Sequence, residues 1–300
     1  MSTIALKIDV DTYRGTLEGV PRLAAALERN GARATFLFTL GPDHTGRAIK
    51  RVLRRGFLGK VRRTSVVSHY GMRTLLYGVL LPGPRIGRRC ESVLRRVEAG
   101  GFEAGVHTWD HVKWQDGVAR ANREWTRRQL ERARDEFTRV FGRAPAAHGA
   151  AGWQMNRYVP QLQAECGFRY ASDTRGRGPF MPLVGGQEVP VLQLPTTLPT
   201  LDELIGREDL GEADPIEHLL RVSDGPADHV FTLHAELEGG AYLAGFEQLL
   251  AAWRQRGVRL TDLASYAATL ETVRLPRCSI DTGSVRGRSG TLAVQGKEGT

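Results

Sequence analysis

Two short stretches carry residue types that could do chemistry together. "HTWDH" sets histidines at 107 and 111, and "IDVDT" sets carboxylates at 9 and 11. A strand alternates its faces, so Asp9 and Asp11 would point to one side, roughly 6–7 Å apart. If the chain turns helically after 107, His107 and His111 share a face and can both reach one ion. Each pair has a plain alternative. Asp11 could cap a turn with Asp9 as its hydrogen-bonded neighbour, and two histidines four apart could be a polar surface patch. Taken together, one carboxylate and two imidazoles make a ligand set with open positions, suited to Zn²⁺, Co²⁺, Mn²⁺ or Fe²⁺. The second carboxylate is then left over as a base.

Two further residues extend the set. His234, in "FTLHAELEG", could protonate a leaving amine. Asp173, in "YASDTRG", could orient that histidine, and Arg175 could hold the base or a phosphate. The alternatives are a hydrogen-bonded core histidine and a turn-capping aspartate.

These residues need elements to position them, and the sequence offers an alternation of strands and helices. Strand-like runs occur at 3–9, 34–40, 102–107, 169–173, 188–195 and 229–234. Amphipathic helical patterns lie at 17–31, 84–99, 119–141, 155–166, 241–257 and 261–271. Such alternation predicts an α/β protein with a mainly parallel sheet, open or closed into a barrel. Each candidate chemical residue falls at the end of a strand. No internal repeat is visible.

Three hundred residues with 41% hydrophobic content can bury a proper core in one large domain or two small ones. The formal charge of +9 points to an anionic partner. That charge is concentrated. The segment 44–90 holds twelve cations and no acid, including Arg51, Arg54, Arg55, Lys60, Arg62 and Arg63, so the remainder nets −3. Bulky apolar residues are interleaved, ending in "LLYGVLL", as in a segment lying among the headgroups of an anionic membrane. A solvated cationic helix pair is the bland alternative. Nucleic acid is disfavoured, because so few aromatics give little for bases to stack on.

Cys90, Cys166 and Cys278 are odd in number and lack metal-type spacing, so no disulfide framework is expected and a reducing compartment fits. The amino terminus does not read as a secretory signal, and no apolar run approaches the ~18 residues that span a bilayer. The Gly-, Ser- and Thr-rich stretch 276–300 is expected to be a disordered tail. The domain reading is therefore one catalytic domain over 1–275 containing the basic insertion.

In order, "IDVDT", "HTWDH", "SDTRG" and "TLHAE" resemble the motif series of the polysaccharide deacetylase family, metal-dependent amide hydrolases. Longer stretches, "IDVDTYRGTLEGVPRL", "GVHTWDHVKWQ", "TLPTLDELIGR" and "HAELEGGAY", resemble its branch of formamido-arabinose deformylases. The likeness spans roughly 3–265. It implies a distorted (β/α) barrel of about seven mainly parallel strands with its site at their carboxyl ends. It further implies Asp9 as catalytic base, Asp11, His107 and His111 as ligands of one divalent ion (Zn²⁺, Co²⁺ or Mn²⁺), His234 as general acid and Asp173 as its support.

The implied substrate is an undecaprenyl-phosphate-linked formamido sugar on the pathway that decorates lipid A, met from the cytoplasmic face of the inner membrane by a peripherally attached enzyme. No obligate protein partner is inferred. The family's usual Arg-x-Pro-x-Gly motif is replaced by "AHGAAGW" (147–153), so the arginine that steadies the base is missing, and Arg175 is the substitute candidate. Trp109, Trp153, Asp202 and Glu203 are candidate substrate contacts by motif position. A deacetylase of another N-acyl sugar, a metal-free amide or imide hydrolase, and a non-catalytic membrane-binding protein are the rivals.

Overall fold

The computed structural model of the chain describes residues 2–48, 74–210 and 214–299. The six cations Arg51, Arg54, Arg55, Lys60, Arg62 and Arg63 lie outside the described residues.

The strands are β1 (Thr3–Val10), β2 (Thr35–Thr39), β3 (Glu103–Thr108), β4 (Ala147–His148), β5 (Tyr170–Ala171), β6 (Met181–Val184), β7 (Gln187–Glu188), β8 (Leu192–Gln193), β9 (His229–His234), β10 (Arg259–Thr261), β11 (Arg277–Gly283) and β12 (Leu292–Glu298). The main sheet runs β9-β1-β2-β3-β4-β5-β8, every pair parallel. β10 joins it by pairing with the first three residues of β1. Parallel strands are covered on both faces, which is why "TIALKIDV" and "TFLFT" read as nearly unbroken apolar runs. Beyond β8 the chain crosses to β9: Thr197 N–H donates to Val230 O at 3.1 Å, and the Thr196 and Thr232 hydroxyls meet at 2.7 Å. The sheet thus curls into the distorted barrel that the motif series implies.

The helices that cover it include α1 (Val20–Arg29), α2 (Glu91–Ala99), α3 (His111–Gly117), α4 (Arg123–Phe141), α5 (Val159–Glu165), α6 (Pro215–Val222) and α7 (Leu243–Gln255). Their apolar faces pack on Phe36, Phe38, Phe231 and Trp253 to form the principal core. Among the described residues, no helix is long and apolar enough to cross a membrane.

Two local features aim the site. The β2–β3 register slips between Phe38 and Thr39, so that His107 is the extra residue of a bulge at the carboxyl end of β3. A bulge re-aims a side chain, here toward the barrel mouth. In the β1–β9 register Asp9 stands opposite His234. The base of the 44–90 insertion is tied down at the same end. Asp43 N–H donates to Pro84 O at 3.0 Å, and the Asp43 carboxylate accepts from Tyr13 N–H at 2.9 Å.

The expectation of a disordered tail is wrong. β11 pairs with β6 in parallel and with β12 antiparallel, giving a second sheet of order β12-β11-β6-β7. Arg175 N–H donates to Ala293 O and Gln295 N–H to Arg175 O, at 3.0 and 2.8 Å, stitching this sheet to the barrel. The misleading composition has a physical origin: most of the small residues belong to "GSVRGRSGT" (283–291), the connector between two strands. Within the connector Gly287 has φ +89°, and a Cβ there would lie 2.3 Å from Glu203 O. Gly287→Ala is therefore expected to lower stability by about 1–3 kcal/mol in urea unfolding, from backbone strain and loss of this close approach. An unchanged midpoint would mean that the connector does not seat here in solution.

Candidate active site

The site is built outward from one face of β1. Lys7 and Asp9 are spaced by two on β1, so the strand presents both to one face, and Asp11 follows just beyond its end. Lys7 is fully buried, its Nζ 3.3 Å from Asp9 Oδ2 and donating to Ser172 O at 2.9 Å, with the Trp153 ring 5.0 Å away. Asp9 Oδ1, also buried, has no hydrogen-bond partner among the described residues and faces His107 Nδ1 at 3.8 Å.

Asp11 sits just past the end of β1. Its Oδ1 lies 3.2 Å from His107 Nε2 and its Oδ2 3.5 Å from His111 Nε2. One ligand atom from each of the three lies within 4.8 Å of the other two. His111 opens α3, and Asp110 before it caps the helix by accepting from Lys113 N–H at 3.1 Å. Asp110 is itself held by His44 Nδ1 at 2.7 Å. The cap fixes where the helix starts, and so where His111 points.

Burial opposes ionisation of Asp11, but His111, His107 and His234 outweigh it and hold the carboxyl far below its ordinary value. Burial alone would depress His107, yet Asp9 and Asp11 raise it; in His111 burial prevails and the value falls. An anionic carboxylate and imidazole Nε2 atoms that converge, with buried Oδ1 of Asp11 and Nδ1 of His107 lacking hydrogen-bond partners among the described residues, fit a divalent ion of the borderline class.

On the opposite wall is His234. Burial works against its protonation, but Asp202, Asp11, Asp9 and Glu238 raise it to about 9. Its Nδ1 lies 3.8 Å from Asp202 Oδ1, and its backbone N–H donates to Glu238 Oε2 at 2.8 Å. Glu236 binds the loop after β1 by accepting from Asp11 N–H, Thr12 N–H and the Thr12 hydroxyl. Burial raises Glu236 to about 8 and Glu238 to about 7. Asp9, Asp11, His107, His111, Asp202 and His234 line one cavity of about 410 Å³, together with Gln115, Glu236 and Arg288.

Several expectations need correcting. Asp173 does not reach His234. It is fully buried, accepting from His148 Nδ1 at 2.9 Å, Ala150 N–H at 2.7 Å and the Gln163 amide at 2.7 Å, and so it anchors the 147–153 loop. Asp202, expected to touch substrate, takes the place beside the histidine. Arg175 does not steady Asp9, because its guanidinium is turned onto Glu203 and Leu198 O. Lys7 occupies that place instead. Glu203 is buried, caps Thr200 N–H and is not at the cavity wall. Trp153 is buried, its Nε1–H donating to the Thr196 hydroxyl at 3.2 Å, and Trp109 packs at Gly41; neither lines the cavity.

Lys7, Glu236 and Glu238 escaped the sequence reading. A lysine inside an otherwise apolar strand, two residues before Asp9, was the available signal, and two acids after His234 were another. Arg288 had none, since it lies beyond the recognisable motifs.

With this geometry in place, the relatives are informative. A family model described as Polysaccharide deacetylase matches residues 2–171, and the chain belongs to that family. A Shewanella sediminis (strain HAW-EB3) protein named probable 4-deoxy-4-formamido-L-arabinose-phosphoundecaprenol deformylase ArnD is 32% identical over 98% of this chain and 95% of its own. A Wigglesworthia glossinidia brevipalpis protein of the same name is 31% identical over 94% of this chain and 99% of its own. Among solved structures, a Mycobacterium smegmatis protein described as a polysaccharide deacetylase superposes with TM-score 0.63 at 19% identity, covering 95% of this chain and 96% of that one. The Bc1960 peptidoglycan N-acetylglucosamine deacetylase gives 0.54 at 16%, covering 88% and 86%. At these identities the two structures speak to the fold alone.

Because Asp202 faces His234, Asp202→Asn removes a charge that favours the protonated imidazole. The alkaline limb of a kcat–pH profile is expected to move to lower pH in Asp202→Asn and to stay in place in Asp173→Asn. A limb that moves only in Asp173→Asn would restore the original pairing.

Proposed function

We propose that this hydrolase removes the N-formyl group of 4-deoxy-4-formamido-L-arabinose phosphoundecaprenol, giving formate and the 4-amino sugar lipid used in lipid A modification. The observation that carries the reading is the pairing of one divided carboxylate pair, Asp9 and Asp11, with two histidines and an opposed His234, in a chain 31–32% identical to proteins named for this reaction.

Asp11, His107 and His111 would hold one divalent ion, Zn²⁺, Co²⁺ or Mn²⁺, which supplies Lewis-acid polarisation of the formyl oxygen and a more acidic bound water. The residues of the chain do the rest. Asp9 Oδ1, without a partner among the described residues, accepts a proton from the attacking water. Lys7 holds Asp9 in place, at 3.3 Å from its other oxygen. As the carbon–nitrogen bond breaks, the protonated His234 gives its proton to the sugar nitrogen, and Asp202 supports that imidazolium. The carboxylate pair thus divides its labour, one oxygen set binding and the other moving a proton. Its alkaline limit follows from His234: the protonated form is needed, and it is lost as pH rises through its raised value.

A polyprenyl tail keeps the substrate in the bilayer, so the enzyme has to work at a surface. The twelve cations of 44–90 support peripheral attachment to an anionic leaflet, at about 1 kcal/mol for each that approaches it. The cytoplasmic face of the inner membrane is the site we propose.

The test is formate release from the formamido-arabinose phospholipid by the purified protein, with metal measured by elemental analysis. About one ion per chain is expected, and both ion and activity should disappear in His107→Ala and after chelation. A metal-bearing protein that leaves the formamide intact but hydrolyses another N-acyl sugar would remove the substrate assignment. Flotation with anionic vesicles should show binding that weakens at high salt.

A further inference from the structure

The cavity is crowded with acid. Asp9, Asp11 and Asp202 line it, yet the proposed substrate brings a phosphodiester. An anion would be repelled from such a wall unless a cation met it. Arg288 is the Arg or Lys side chain among the described lining residues. It comes from the β11–β12 connector, outside the stretch matched by the family model.

The guanidinium is held rigidly. Nε donates to Glu203 Oε1 at 2.7 Å and Nη2 to Asp202 Oδ2 at 3.0 Å, while its plane sits 4.4 Å from the Trp153 ring. Among the described residues, Nη1 shows no carboxylate or carbonyl partner. The local charges do not cancel it. Glu203 is shared with Arg175, and Asp202 is shared with His234, so the five groups carry a net positive charge when His234 is protonated.

Position matters as much as charge. Arg288 is one carboxylate removed from His234, the group placed to protonate the sugar nitrogen. On a pyranose the 4-nitrogen and the anomeric phosphate lie on opposite sides of the ring. A sugar with its nitrogen at His234 would therefore present its phosphate about one ring width away, and Arg288 stands across Asp202 from that histidine.

Resting on the substrate reading above, we propose that Arg288 is the specificity residue for the anomeric phosphate, receiving a phosphate oxygen on Nη1. The C-terminal connector would then be the part of the chain that makes a polysaccharide deacetylase fold select a sugar phosphate.

The test compares wild type, Arg288→Ala and Arg288→Lys on two substrates: the formamido-arabinose phospholipid and the methyl glycoside of the same formamido sugar, which lacks phosphate. A lost charged hydrogen bond predicts a KM for the phospholipid raised roughly tenfold to a hundredfold in Arg288→Ala. The methyl glycoside should keep its KM in all three proteins, any fall in kcat from loosening Asp202 should be shared by the two substrates, and lysine should recover part of the KM loss. Equal rises in KM on the two substrates, or a fall in kcat with KM unchanged, would overturn the proposal and leave Arg288 as a support for Asp202.

A second arm keeps the two claims separable. Binding of L-arabinose 1-phosphate is measured by calorimetry on the chelator-treated protein, so that no ion can take the phosphate. Weakening of about tenfold in Arg288→Ala supports the phosphate site even if wild type releases no formate at all, which would sink the substrate reading alone. The same affinity in both proteins, or none in wild type, would overturn the phosphate site.

Discussion

The buried contact between Lys7 and Asp9 is the constraint on which the site depends. Two charges taken into a barrel interior are costly unless geometry and hydrogen bonds compensate them. Here Lys7 Nζ divides itself between Asp9 and Ser172 O and lies against Trp153, so the Asp9 carboxyl is held beside His107 in a buried setting. Because β1 alternates its faces, fixing Lys7 and Asp9 also fixes the direction of Asp11. The alternation puts the proposed base and the proposed ligand on one line. The bulge at His107 and the cap at Asp110 then have only to bring two imidazoles to that line.

Around this line the molecule accumulates carboxyl groups that burial would rather neutralise. Glu236 and Glu238 respond by keeping their protons to higher pH, at about 8 and 7. Asp11 does not, since the surrounding histidines favour its charge. The difference sorts the acids by role. Glu236 ties the β1 loop with three accepted hydrogen bonds, and Glu238 holds the His234 backbone, while Asp11 stays anionic and able to ligate. The His148–Asp173 pair forms a separate buried network under the 147–153 loop, a structural use of residues that look catalytic by type.

Much of this was legible in the sequence, for reasons that differ by residue. Strands β1 and β9 announce themselves as apolar runs ending in Asp9 and His234; alternation with helices predicts a parallel sheet, open or closed, and the family resemblance implies the barrel. "HTWDH" was legible because its spacing carries meaning on a helix start. What could not be read was azimuth. Asp173 and Arg175 follow the end of β5 and Asp202 lies in a short helix, and only the curl of the sheet determines that Asp202 meets His234 while Asp173 turns to His148. The 276–300 stretch was misread because the Gly- and Ser-rich connector masked two flanking strands whose stability comes from pairing with the distant β6. Arg288 went unnoticed for the same reason, since nothing local ties residue 288 to residue 202.

The central claim is that Asp11 binds an ion with His107 and His111 while Asp9, two residues away, does not. Anomalous diffraction from crystals grown with Co²⁺ or Zn²⁺ tests it most directly. The account predicts one peak with Asp11 oxygen and both histidine nitrogens at about 2.0–2.2 Å, and Asp9 outside bonding distance against Lys7. An ion bonded to Asp9, or no peak among these three residues, would contradict it.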